Sequence, residues 1–461
     1  MRRVLMGLQF FPRGGSAHVA RNLAHALPDE GWDASIVSGS LSRPRRPGDA
    51  REFYKGLDVH PVDFTAALDA PDPLLADPPF HPSYEDRPGA PDPIMCSLDD
   101  ARYEHQVAAW ARALAAAGAA DADVLHLHHL TPLNEAAQRV APGVPVVGHL
   151  HGTELLMLEE IEAEPYHWPH GFRWVERMRD WAARCERLIV LSESQVARAE
   201  HLLDVAPERC VEVSNGFDPK TFTRRPVERL ALWRKYLVES PQGWAPGAEA
   251  GSVRYTDADL APFAGDGPVL LYVGRFTAVK RLPLLIEAYA HARPGFARPA
   301  PLVILGGYPG EWEGEHPLET IARTGARDVF LAGWHGHDEL PDFLSASDAV
   351  VLPSVREQFG QVLVEGMACG LPAVAVDAFG PAEIVEHGET GWLVPPDDGT
   401  ALMNALVEAV NRPAERERRG RRARDVALER YAWPALAGRV AQVYATALGA
   451  PEGEEGVLAG A

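Results

Sequence analysis

Short runs of consecutive apolar residues recur along this chain, separated by longer stretches whose apolar positions return every three or four residues. A short apolar run reads as a strand buried on both faces, and the wider spacing as an amphipathic helix. In the first half, residues 4–11, 34–38, 59–62, 124–128, 146–151, 188–191 and 211–213 carry the strand pattern. Residues 18–27, 101–116 and 172–187 carry the helical one. In the second half, strand runs fall at 269–273, 302–305, 329–331, 349–352, 373–376 and 391–394. Strands alternating with helices imply parallel sheets wrapped on both faces.

The alternation lapses twice. Residues 43–92 are rich in Pro, Asp and Arg and read as irregular excursions around the 59–62 strand. Residues 225–267 lose their period and contain Ser240-Pro241, Pro246-Gly247 and Pro262, which predicts a linker with an insertion. The chain is therefore expected to be α/β, with two doubly wound Rossmann-like domains at 1–224 and 268–432. They would face a cleft in which ligands meet the C-terminal ends of the strands. A last helix is expected at 433–448 and a disordered tail at 449–461.

A length of 461 residues suits two or three domains, and 46% hydrophobic with 24% charged residues suits a globular enzyme. The formal net charge of −21 argues against a nucleic-acid partner, which needs a basic footprint. Met1-Arg2-Arg3 and the apolar residues after it resemble the start of a signal peptide. Gln9 and Pro12-Arg13-Gly14-Gly15 interrupt the run without a cleavage site, so a first core strand is the better reading. No apolar stretch is long enough for a transmembrane segment. Cys96, Cys185, Cys210 and Cys369 form no CxxC pair, as expected of reduced thiols in a cytoplasmic protein.

The segment from Pro353 to Ala368 carries the most chemistry. It joins an apolar strand to a helix through Gly360, with Glu357 before the turn and Glu365 after it. A helix start offers unpaired N–H groups and a positive dipole end to an anion, and a glycine lets that anion approach. Glu357 and Glu365 are eight residues apart, at most about 12 Å along a helix. A diphosphate on the helix start would leave one glutamate for the sugar and the other for the ribose, which describes a nucleotide-sugar site. The alternative is two solvated glutamates beside an ordinary strand, turn and helix.

Several pieces match a longer pattern: Pro353-Ser354, Glu357-x-Phe359-Gly360, Glu365-Gly366-Met367-Ala368-x-Gly370-x-Pro372, Glu383-Ile384-Val385 and Gly388-x-x-Gly391-x-Leu393-Val394. Together they resemble the donor signature of retaining glycosyltransferases of the GT-B fold, the large group called family 4. Gly274-Arg275 followed by Lys280 is similar to that family's phosphate clamp, with Arg281 where a glycine is usual. Pro12-Arg13-Gly14-Gly15 resembles its glycine loop, and Asn215-Gly216-Phe217-Asp218 with Phe222 a motif closing the first domain. The last helix is similar to the GT-B tail that crosses back to the first domain.

The resemblance implies donor contacts from Gly14, Gly15, Gly274, Arg275, Lys280, Glu357, Phe359, Gly360, Gln361, Val362, Leu363 and Glu365. Arg275, Lys280 and the helix start would stabilise the departing diphosphate. Glu357 would hold the sugar hydroxyls, Glu365 the ribose, and His151 would contact the sugar near its reacting carbon. Neither glutamate is an obvious nucleophile, so attack from the leaving-group side is expected rather than double displacement.

His126, His128, His149 and His151 leave other readings open. Two H-x-H pairs at strand ends could be the metal site of a hydrolase, although no carboxylate partner is evident nearby. His126 and His149 could equally be packed and hydrogen bonded. Asp121-x-Asp123 and Asp257-x-Asp259 are poor evidence for a metal, and Gly306-Gly307 lacks the spacing of a dinucleotide fingerprint. No metal or other cofactor is expected beyond a UDP-, GDP- or ADP-sugar as co-substrate. A protein that binds nucleotide sugar without catalysis remains an alternative. The 101–116 helix is too weakly basic to argue for a lipid acceptor. A small soluble or glycan acceptor is preferred, with peripheral membrane contact left open.

Overall fold

The computed structural model describes residues 1–12, 14–42, 48–86 and 92–450. Arg13 of the glycine loop, parts of the irregular stretch (43–47 and 87–91) and the tail from 451 lie outside the described residues. The chain divides into two compact units, Met1–Asn215 together with the chain from Trp433 onward, and Gly216–Ala432. Every run read as a strand forms one.

The first unit contains β1 (Arg2–Leu8), β2 (Trp32–Ser40), β3 (Asp58–Asp63), β4 (Val124–His128), β5 (Val146–His149), β6 (Arg187–Val190) and β7 (Cys210–Glu212). Among the described residues they form one sheet in the order β3-β2-β1-β4-β5-β6-β7, and every pairing is parallel. Strand alternation sorts its side chains. Leu5, Leu125 and Leu127 face one core with Trp110 and Trp174. Val4, Met6, Leu8, Val124 and Val147 face another, covered by the Gly15–Ala26 helix and by Leu436, Val440 and Tyr444. Those last residues belong to the helix Trp433–Ala447, so the final helix is part of this unit's core. The same alternation puts His126, His128 and His149 on that face.

The second unit contains β8 (Leu270–Val273), β9 (Leu302–Leu305), β10 (Val329–Gly333), β11 (Ala349–Leu352), β12 (Ala373–Val376) and β13 (Gly391–Val394). Its order is β10-β9-β8-β11-β12-β13, again with every pairing parallel. In each sheet the order reverses beside the first strand, between β1 and β4 and between β8 and β11, and ligands of open α/β sheets bind beyond the strand ends at such points.

The boundaries expected at 224 and 268 move. The second unit begins at Gly216, and the stretch read as a linker at 225–267 is packed within it. Trp233, in a helix at Arg229–Arg234, is buried against Phe263 and Phe343, and Tyr236 lies 4.3 Å from Phe343 between ring centroids. The Trp244 indole donates to Gly307 O at 3.1 Å, and Gln242 bridges to Gly333 at the end of β10. These anchors are aromatic but irregularly spaced, so no helical or strand period marks them.

Candidate functional site

In the second unit the predicted residues meet beyond β8 and β11. The chain after β8 passes close under Gly306, where a Cβ would stand 2.3 Å from Gly274 O. It then runs against the segment after β11. Val355 N–H donates to Val279 O at 3.0 Å, as does the Ser354 hydroxyl at 3.3 Å. This tie brings the Lys280 ammonium directly onto the Glu357 carboxylate, with both side chains about four-fifths buried. The Arg275 guanidinium is exposed and has no ion-pair partner among the described residues. Its carbonyl accepts from the buried Tyr272 hydroxyl at 2.9 Å. Burial, then the charge of Glu357, raises the pKa of that phenol, and Arg275 opposes the rise.

Arg281 stands where a glycine was expected and still adopts a left-handed φ of 53°, its guanidinium holding Asp397 at 2.6 Å. The turn is therefore left-handed without a glycine and carries an ion pair.

Gly360 is the N-cap of the helix Gln361–Ala368 at φ 99°, a conformation that glycine adopts readily, and it brings no side chain of its own to the first N–H groups. Phe359 is buried. The Glu365 carboxylate, only 2% exposed, accepts from Gln361 Nε2 at 3.2 Å and meets His337 Nε2 at 2.7 Å. Gln361 Nε2 also donates to Gly216 O at 2.9 Å, and Phe222 packs on His337. The motif at 215–222, expected to close the first domain, thus enters the second unit from Gly216 and supports Gln361 and His337 there. His337 was not visible as a partner in the sequence. It follows a strand without a motif of its own.

In the first unit the helix Gly15–Ala26 opens at exposed glycines. Neither Gly14 nor Gly15 has a positive φ, and an added Cβ on either would touch nothing within 4 Å. Packing within the chain does not require glycine here.

The histidines form a stacked network. His126 Nδ1 is hydrogen bonded to the Tyr444 hydroxyl at 2.6 Å and its Nε2 to His149 Nδ1 at 3.1 Å. His128 Nδ1 bonds to His151 Nε2 at 3.0 Å. The rings of His149 and His151 stack at 4.5 Å. Burial lowers the pKa of His126 to about 3, and burial with the neighbouring imidazoles holds His128, His149 and His151 well below the usual value. They are neutral ligands or hydrogen-bond partners at neutral pH.

His126, His128 and His149 each offer a ring nitrogen within 4.8 Å of the others, and Nε2 of His128 and of His149 is buried without a partner. Three imidazoles could hold a metal ion, but both His126 nitrogens are already hydrogen bonded, as the packed reading expects. A carboxylate does lie beside the cluster, contrary to the sequence reading. Glu154, fully buried, meets His129 Nδ1 at 2.6 Å. Both residues were passed over, although Glu154 ends the run His151-Gly152-Thr153-Glu154. The two D-x-D pairs have local structural roles. Asp123 accepts from Arg3 N–H, and Asp259 from Thr256.

Solved structures share this architecture over nearly the whole chain. Sucrose-phosphate synthase from Thermosynechococcus elongatus superposes with a TM-score of 0.66 at 20% identity, covering 98% of this chain and all of that one. Anabaena HepE, solved with UDP and glucose, superposes with a TM-score of 0.66 at 19% identity, covering 97% and 100%. The fold is that of the GT-B glycosyltransferases. Residues 13–221 match the family "Glycosyltransferase Family 4" and residues 257–426 match "Glycosyl transferases group 1". The chain belongs to glycosyltransferase family 4.

Among its relatives is alpha-D-kanosaminyltransferase of Streptomyces kanamyceticus, 34% identical over 39% of this chain and 46% of that protein, so the match spans less than half of it. D-inositol 3-phosphate glycosyltransferase of Stackebrandtia nassauensis is 28% identical over 71% of this chain and 68% of that protein. Among the described residues no helix is long and apolar enough to cross a membrane.

Proposed function

We propose that this protein is a cytoplasmic, retaining glycosyltransferase that moves a sugar from a nucleoside diphosphate sugar to an acceptor hydroxyl without a metal ion. The observation that carries this reading is the grouping beyond β8 and β11 of the Lys280–Glu357 ion pair, of Arg275 with no ion-pair partner among the described residues, and of the helix start after Gly360. An arriving diphosphate can take Lys280 from Glu357 and draw in Arg275, and charge-assisted hydrogen bonds of this kind are the strong ones. The released Glu357 carboxylate is then free to accept from sugar hydroxyls. Glu365 is already buried and oriented by Gln361 and His337, as a residue meant to grip ribose hydroxyls should be. In the first unit, the exposed Gly14–Gly15 helix start would approach phosphate and His151 would contact the sugar. The UDP and glucose of the HepE structure support a nucleotide sugar as the donor class.

The test is a thermal-shift screen of UDP-, GDP- and ADP-sugars, followed by transfer and donor-hydrolysis assays with and without EDTA. A ligand at 100 times its Kd stabilises by about 2.7 kcal/mol. Stabilisation by one base, with EDTA-resistant turnover, is the expected result. Stabilisation without turnover would leave a binding protein, and a strict metal requirement would return the histidine cluster to consideration.

A further inference from the structure

His151 stands on a turn built around a carboxylate. Glu154 is fully buried, and its two oxygens accept the His151 backbone N–H at 3.1 and 3.4 Å. One of them also meets His129 Nδ1 at 2.6 Å. A carboxylate this deep is tolerated only because these donors surround it. His129 is unusual in its own right, with a φ of 68° that non-glycine residues adopt at a cost. The surroundings enforce it. Its N–H donates to His149 O at 2.9 Å, its carbonyl accepts from Asn134 Nδ2 at 3.1 Å, and its ring lies against Phe10, Tyr84 and His151, the last at 4.5 Å. A buried acid and a strained backbone thus coincide beside one residue. Backbone strain of this kind gathers at functional sites.

We propose that Glu154 and His129 are positioning residues for His151, an inference that rests on His151 contacting the donor sugar. Glu154 fixes the main chain of the turn, and His129 fixes both that carboxylate and one face of the His151 ring. His128 holds the ring by Nε2. Nδ1 is then the ring nitrogen of His151 with no partner among the described residues. A proton on His128 Nδ1, donated to His151 Nε2, makes His151 Nδ1 a donor and leaves the buried Nε2 of His128 as a bare lone pair. That assignment agrees with His128 Nε2 having no partner. An orphaned acceptor is tolerated better than an orphaned donor. The network therefore presents His151 as a neutral imidazole that donates from one defined edge.

The probe is whichever of UDP-, GDP- and ADP-glucose stabilises the protein most, with release of nucleoside diphosphate as the readout, beside imidazole nitrogen NMR of the whole protein. Glu154→Ala is expected to lower kcat at least tenfold, to leave the donor KM within about twofold, and to turn the single His151 tautomer signal into an averaged one. Glu154→Gln, which keeps an acceptor, should restore most of both. Adding Glu154→Ala to His151→Ala should cost nothing further in kcat, whereas a purely structural residue would cost again. If Glu154→Ala does not fold, His129→Ala carries the same expectations. Wild-type kcat with an unchanged His151 signal in these variants would overturn the inference while a crippled His151→Ala kept the functional reading intact. A fully active His151→Ala, or no donor turned over at all, would defeat that reading, and the inference with it.

Discussion

The two units share one fold and one topological switch, yet they furnish the ends of their central strands in opposite ways. Along β4 and β5 and just past their ends the first unit gathers buried, neutral imidazoles that bond to one another and to Tyr444. Beyond β8 and β11 the second gathers charges, with Lys280 on Glu357 and both partly open to solvent. The difference is one of exchangeability. An ion pair that still reaches solvent can trade partners when an anion arrives, since the incoming charge replaces the one given up. A closed network of neutral groups gives up a bond only by orphaning a buried polar atom, which is costly. On this argument the second unit is made to bind and the first to hold a side chain still.

The comparison breaks most visibly under acid. His126, His128, His149 and His151 have pKa values depressed by burial in the folded protein, His126 to about 3. Unfolded histidines take up protons below about pH 6.5, while these do not until far lower. The unfolded state therefore binds more protons in that window, and stability rises with pH through it and falls as pH drops below about 6.5. Each histidine contributes up to about 1.4 kcal/mol per pH unit. Hydrogen exchange at pH 7, 6 and 5 should show the first unit losing protection, and His126→Gln should remove one histidine's share of the slope. Equal pH dependence in both units would sink the contrast.

Next in size comes the loss of charge in the second unit. Glu357→Ala should lower kcat by two to three orders of magnitude without unfolding the protein, the span about 3–4 kcal/mol of lost transition-state stabilisation gives. Near-normal turnover would remove Glu357 from the sugar. Arg275→Ala should weaken binding of the free nucleoside diphosphate by about tenfold to hundredfold, as a charged hydrogen bond of about 1.5–3 kcal/mol implies. Calorimetry showing unchanged affinity would take Arg275 out of the clamp.

Much of this was legible in the chain and some was not, for physical reasons. The inner strands of both sheets were readable because parallel strands buried on two faces are largely apolar. The positions of Gly274, Arg275 and Glu357 near strand ends were readable from the strand–turn–helix spacing, while the roles expected of them, of Lys280 and of Glu365 came with the family resemblance. The pairing of Lys280 with Glu357 was not readable. It depends on the tie of Val355 and Ser354 to Val279, between segments far apart in sequence. Residues 225–267 misled because Trp233, Tyr236, Trp244 and Phe263 anchor that stretch without a period. His129 was hidden for another reason, since nothing in a side-chain pattern announces a left-handed backbone.

The smallest effects separate the two helix starts. Gly360 is left-handed, and a Cβ there would stand 3.1 Å from Leu363 Cδ1, so Gly360→Ala should destabilise the second unit by about 1–2 kcal/mol. Gly15 has open space around it and begins a helix, so Gly15→Ala should leave the first unit as stable or raise its stability by up to about 1 kcal/mol. The two substitutions are thus expected to move thermal stability in opposite directions while both weaken nucleoside diphosphate binding. Gly15→Ala is the sharper of the two because folding gives no reason for glycine there. If it binds nucleotide as tightly as the parent, that helix start faces no phosphate, and the first unit's part in donor binding reduces to His151.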